Sequence, residues 1–288
     1  MTAPLVMPTL HPESGTRRQP IPPSHPVPSG LPPGRLRQTP RTMPSHTLSD
    51  ALARLVAGCR DTVVPSLACE PLSVPEHLRD IPGMIGRKSV RMRIDAWQSE
   101  AWLSLLVAEI RSEVDGSTLS ATIIGLPHPG SVNPVIGVDL IALGGRLSLY
   151  AVDLAPICPS WWSATGCPLL LDLKSGLPST FVPRPHPEFT TGTFSSEAII
   201  GRFDPADSPR AVDATAQWLD RLAPALVPRA DAADPERGSR LARWLQAERT
   251  NRREHNALAR IFGENTAAEL TAQVLFPDRW LDPGAPPD

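Results

Sequence analysis

Asp139 is the residue whose setting most demands chemistry. It stands inside the apolar run PVIGVDLIAL, residues 134–143. A carboxylate among hydrophobic neighbours is costly to ionise unless it is paired, and desolvation raises its pKa. An acid that keeps its proton near neutral pH and yields it to a reacting group is a proton donor. Alternation alone leaves open whether the side chain faces a cleft or plain solvent. Asp153, in AVDLAP, reads as structural, capping the turn before Pro156. His128 and His186 lie in Pro-rich loops and read as solvated, while Trp161 and Trp162 are either a cover for a flat ligand or a core pair. Cys59, Cys69, Cys158 and Cys167 lack the close pairing of zinc or iron–sulfur ligands and read as free thiols.

The elements that must hold Asp139 are strands. Val90, Met92, Ile94 and Ala96 alternate with polar residues. WLSLLVAEI, TLSATIIGL, PVIGVDLIAL and RLSLYAVDL follow, divided by VDGS, PHPGSVN and GG. Short strands with brief connections make an antiparallel meander rather than βαβ units. A further strand is expected over 197–203. Helices flank the meander. Thr47 or Ser49 caps a first helix with the stripe Leu48, Ala51, Leu52, Leu55 and Val56. Helices are expected again over 211–226, over the strongly basic stretch 237–259, and over 267–276. Strands followed by helices predict an α+β layered domain.

Composition narrows the function classes. The 288 residues are 41% hydrophobic and carry a net charge of −2, which gives no reason to expect a nucleic-acid binder. No run reaches the roughly 18–20 apolar residues of a membrane helix. The N-terminus lacks the charged-then-apolar order of a secretory signal, so a cytoplasmic location is expected. Of 35 prolines, 12 precede His46, and residues 1–46 hold five arginines against one acid. That stretch is expected to be a disordered Pro-rich tail of charge +4, leaving −6 on the remainder, with the domain over 47–280 and a disordered C-terminus over 281–288.

The segment PHPGSVNPVIGVDLIALGGRLSLYAVDLAP, residues 127–156, resembles the central motif of the ferredoxin-dependent bilin reductases: P-x-x-G-x-D, a Gly-containing hairpin, and a strand closing in D-L-x-P. IFGENTAAELTAQVLFPD, residues 261–278, resembles the family's closing helix, and FSSEAIIGR places Arg202 where the family carries a propionate-binding arginine. The resemblance runs in order from 48 to 280. It implies a three-layer α/β/α sandwich around an antiparallel sheet and biliverdin held between sheet and C-terminal helices. It also implies no bound metal or flavin, and reduced ferredoxin as an external one-electron donor. Heme oxygenase and a phytochrome-type acceptor are candidate partners on the same ground.

The resemblance assigns Asp139 as catalytic proton donor, with Arg202 and Ser148 at the propionate positions and Arg253 as a further anchor on the C-terminal helices. Departures accompany the match. Thr122 stands where phycocyanobilin-forming members carry a histidine, and Ile110 falls on their glutamate, with Glu109 beside it. Asn251 matches a family asparagine and is expected, with Thr122, among the substrate-binding residues, but Arg252 stands where most members have a second aspartate. Either Asp139 acts alone on one double bond, or Glu109, Glu254 or His255 substitutes. The competing expectation is a carrier that binds a bilin on this scaffold without reducing it.

Overall fold

The computed structural model describes residues 47–227, 234, 236–277 and 280. The tail expected over 1–46 and the C-terminal stretch expected over 281–288 lie outside them.

The first helix, α1 (Leu48–Gly58), is set by a reciprocal cap: Thr47 Oγ1 accepts from Asp50 N at 3.1 Å, and the Asp50 carboxylate accepts from Thr47 N at 3.2 Å. Ser49, the other candidate cap, instead accepts from Thr118 N at 2.8 Å and ties α1 to the sheet. Short helices α2 (Val64–Ser66) and α3 (Glu76–Arg79) follow. Strands β1 (Glu70–Pro71), β2 (Asp80–Ile85), β3 (Lys88–Gln98), β4 (Trp102–Ser112), β5 (Thr118–Pro127), β6 (Val135–Leu143) and β7 (Arg146–Ala155) build the meander. Beyond it come α4 (Pro159–Trp161), α5 (Cys167–Gly176), β8 (Val182–Pro183), β9 (Ile199–Arg202) and α6 (Ser208–Leu222). The chain then runs through α7 (Glu236–Arg249), α8 (Arg252–Phe262) and α9 (Glu264–Leu270).

All strand pairings among the described residues are antiparallel, in the order β1-β3-β4-β5-β6-β7-β9-β8, with β2 also on β3. The β6–β7 turn is the two-residue loop Gly144–Gly145, both at positive φ (62° and 76°). A type I′ hairpin needs that backbone at both positions, and glycine adopts it without a Cβ clash. The outermost strands β1, β2 and β8 each contain a proline: Pro71, Pro82 and Pro183.

Period-two alternation divides the strands between two cores. Leu105, Val107, Ile123, Ile136, Val138, Tyr150 and Val152 pack under α1, α5 and α6 with Leu52, Leu55 and Trp218. Met92, Ile94, Leu106, Ala108, Ile124 and Val135 face the other way, against Leu241, Trp244 and Leu245 of α7, Phe262 of α8 and Leu270 of α9. The architecture is the expected α+β three-layer sandwich, helices on both faces of an antiparallel sheet.

The structure differs from the sequence reading in several elements: α5 and the short α3, α4, β1 and β8 were not expected, and three further differences have a physical reason. β2 is a strand although its Pro82–Gly83 step carries no apolar alternation, and tertiary pairing to β3 overrides local propensity there. The basic stretch 237–259 is two helices rather than one, because Asn251 leaves the helical conformation (φ −70°, ψ 86°) and caps α8, accepting from Arg253 N and Glu254 N. The last expected helix is α9 continued by a widened turn over Thr271–Leu275.

α8 reaches the sheet through a close approach at Gly83. A Cβ built there would lie 2.6 Å from the Phe262 ring and 2.7 Å from the Ile261 carbonyl oxygen. Glycine at this one position lets α8 seat against β2.

Candidate active site

Asp139 lies at the middle of β6, opposite Thr122 on β5 and Ala151 on β7. Ile200 of β9 pairs with Ala151, so these four residues form one row across the sheet, all on the α7–α8 side. Thr122 Oγ1 donates to Asp139 Oδ1 at 2.9 Å. Burial pushes the Asp139 carboxyl up to about 6, against the opposing pull of the Thr122 hydrogen bond. The residue is nevertheless only half-buried, so protein atoms crowd the carboxyl while solvent still reaches it. That combination places the carboxyl on a partly open stretch of the sheet face.

The surrounding face is open in the same way. Gly137, Ile141, Leu149, Ala151, Ile200 and Thr122 are half-covered, in contrast to Val135 and Ala155 at the far end of the same hairpin, which are fully packed. Arg202, at the end of β9, stands exposed one row from Asp139, in register with Leu149 through the Tyr150–Gly201 pair. The apolar floor therefore has an acid at its centre and a guanidinium at its rim.

Three more acids gather at this place. Asp153 of β7 pairs with Gly137, one row from Asp139. It is buried and accepts from both the backbone N (3.1 Å) and Oγ of Ser195. It thus pins the loop before β9 instead of capping the turn before Pro156, as the sequence suggested. Burial raises its carboxyl to about 6 despite the Ser195 bonds. Glu248, on the last turn of α7, and Glu254, on the first turn of α8, are both pushed up by burial. The negative charge of Asp139 raises both further, and so does their mutual proximity in the case of Glu254. Asn251, between the helices, is within 3.3 Å of Glu248 Oε2 and 3.5 Å of Glu254 Oε2 through its amide Nδ2. These acids act on one another, and burial raises all four, so each takes up a proton more readily than an exposed carboxyl does. Among the described residues no three metal-ligating side chains converge on a cation site.

The other expected site residues fall as follows. Ser148 donates to the Ile141 carbonyl oxygen at 3.0 Å beside the β6–β7 bulge, so its hydroxyl proton is committed to the backbone and only its lone pairs remain for a ligand. Arg253 and Arg252 are exposed on α8. Glu109 lies on the opposite face of the sheet, paired with Arg60 at 3.0 Å and Arg111 at 3.3 Å, too far round the fold to substitute at Asp139. His255 pairs with Glu264 at 2.7 Å, away from the cluster. Trp161 and Trp162 pack on the α1–α6 core, so they do not cover the open face. Of the three suggested substitutes, Glu254 alone joins Asp139. Glu248 went unread in the sequence, although a signal was present. It continues the buried stripe Leu241, Trp244, Leu245 at helical spacing, where an acid has no business without a role.

No family model matches the chain, and no curated protein matches it. Among solved structures it is similar to phytochromobilin synthase from tomato, determined in complex with biliverdin, with a TM-score of 0.60 and 16% sequence identity over 82% of this chain and 85% of that one. The chain has the fold of phytochromobilin synthase, and the ferredoxin-dependent bilin reductase family that the sequence resembles is supported at the level of the fold.

Proposed function

We propose that this protein reduces a linear tetrapyrrole, biliverdin IXα or a dihydrobiliverdin, to a more reduced bilin. The observation that carries the reading is the half-buried Asp139, held protonatable at about 6 on an open apolar sheet face in a fold shared with a bilin-reducing enzyme. A flat, largely apolar pigment suits the floor of Ile141, Leu149, Ala151 and Ile200. Its carboxylates call for a guanidinium, and Arg202 at the rim supplies one, with Arg253 on α8 as a second candidate. Thr122 orients Asp139 for proton donation through its 2.9 Å bond. Asn251 acts through the two glutamates that it bridges. Electrons enter singly from reduced ferredoxin, with no group bound permanently to the chain, and heme oxygenase and a phytochrome-type acceptor are the partners this chemistry calls for upstream and downstream.

Anaerobic incubation with biliverdin, ferredoxin and a reducing system, followed by pigment chromatography, tests the reading. A more reduced bilin is the expected product. Tight binding with the pigment recovered unchanged would make the chain a carrier, and an unaltered bilin spectrum on titration would remove both readings. The cluster of raised acids speaks for the enzyme, since a carrier has no use for several carboxyls that take up and release protons around one ligand.

A further inference from the structure

The cluster holds more acid than one donor needs. Reducing one double bond takes two electrons and two protons. Under the reading above, a reduced iron–sulfur protein of the ferredoxin class delivers the electrons one at a time. Asp139 breaks one O–H bond to form one new bond from hydrogen to the pigment. The second proton needs another source on the same face. Thr122 is an alcohol committed to Asp139, and both oxygens of Asp153 accept from Ser195.

We infer that Glu248 and Glu254, bridged by Asn251, hold a shared proton above the cleft and deliver it as the second proton of the reduction. The inference rests on the proposed bilin reduction and deepens it. Glu254 is half-buried, like Asp139, while Glu248 is buried. The order is therefore a reservoir, Glu248, and an outlet, Glu254. Neither carboxyl is in an ion pair among the described residues, and the groups facing them are acids, Asp139 on β6 and Asp153 on β7, the latter under the influence of His186. Two neighbouring buried carboxylates without an ion pair repel one another, and one proton shared between the two relieves the repulsion. An open polar atom lies on the same helix. Trp244, one turn before Glu248 on the sheet-facing side of α7, is 5% exposed, and its indole N–H has no acceptor among the described residues. A buried donor left open in this way is completed by a bound molecule or water. On delivery the O–H bond of Glu254 breaks, Glu248 reloads it, and the pair recovers its proton from water.

Two measurements test this. In the ligand-free protein, infrared difference spectra across pH 6–8 are expected to show a carboxylic-acid C=O band that disappears in both Glu248→Gln and Glu254→Gln. In turnover, each variant is expected to bind biliverdin within about twofold of the parent yet to reduce it at least tenfold more slowly. The pH–rate profile of each variant should differ from that of the parent, because one of the two titrating carboxyls is gone, and a one-electron pigment radical should persist in electron paramagnetic resonance. Absence of the band, or turnover and pH profile unchanged in both variants, overturns the inference while the reductase reading stands. If the parent itself reduces no bilin, the reductase reading falls, and the infrared band still decides whether the pair holds a proton.

Discussion

At the residue scale, the Asp139–Thr122 pair sets the acid strength at the centre of the cleft. Asp139→Asn keeps the shape and loses the transferable proton, so pigment binding should persist while reduction falls by at least two orders of magnitude, the usual scale of a lost general acid. Wild-type turnover would remove Asp139 from the chemistry. Thr122→Val probes the same group more gently. The Thr122 hydroxyl favours the ionised carboxylate, and a neutral hydrogen bond contributes about 1 kcal/mol, roughly 0.7 pH unit. Its removal should shift the alkaline limb of the pH–rate profile upward by about that much, and a downward shift would contradict the assignment. Asp139 was legible in the sequence because a lone acid in an alternating apolar strand stands out. Glu248 was equally visible on its helical stripe, but the arginines around it drew the reading toward a solvated basic face. What no spacing revealed is that α7 and α8 bring Glu248 and Glu254 to the sheet from opposite sides of a cap.

At the scale of elements, the meander from β3 to β7 followed from period two, and its turns from glycine and asparagine chemistry. The break between α7 and α8 was written as Thr250-Asn251 followed by Glu254, a helix-start pattern inside what counted as one helix. α8 is aimed by its far end, where Phe262 lies on Gly83. Gly83→Ala puts a methyl group into the Phe262 ring and the Ile261 carbonyl, so α8 must move. A destabilisation of about 1–3 kcal/mol is expected, typical of overpacking. The displaced helix should also loosen Glu254 from Asn251, so activity should fall further than the melting temperature alone explains. Thermal denaturation and turnover on one preparation separate the two effects, and a variant with parental stability and rate would show that the approach does not aim the helix.

At the scale of the whole molecule, the raised acids tie stability to pH. Asp139 and Asp153 bind protons more tightly folded (about 6) than unfolded (about 4), and Glu248 and Glu254 shift in the same direction. The folded state thus holds more protons, and stability falls as pH rises through the window from about 4 to about 6 and beyond. The melting temperature should therefore be higher at pH 5 than at pH 8, and Asp139→Asn should flatten that slope. Charge also bears on the electron donor. The basic C-terminal stretch is not uniformly available: Arg237 is buried on the Gly130 carbonyl at 2.9 Å, and Arg240 is spent on Asp234, Glu236 and the Ile157 carbonyl. Arg243, Arg252, Arg253 and Arg260 are exposed. If an acidic ferredoxin docks on these, reversing Arg243 and Arg260 should raise its Michaelis constant and leave bilin affinity intact, and added salt should do the same by screening. Turnover unmoved by both would place the donor elsewhere. Finally, the prolines of β1, β2 and β8 bear on how this protein survives at high concentration. An outer strand offers unpaired backbone groups to any neighbouring chain, and a residue without an N–H spoils that template. With Pro71, Pro82 and Pro183 on its rims, a broad sheet that keeps one face partly bare is guarded against ribbon-like self-association. Replacing Pro82 and Pro183 with valine should leave the protein folded and speed its conversion to thioflavin-binding aggregates.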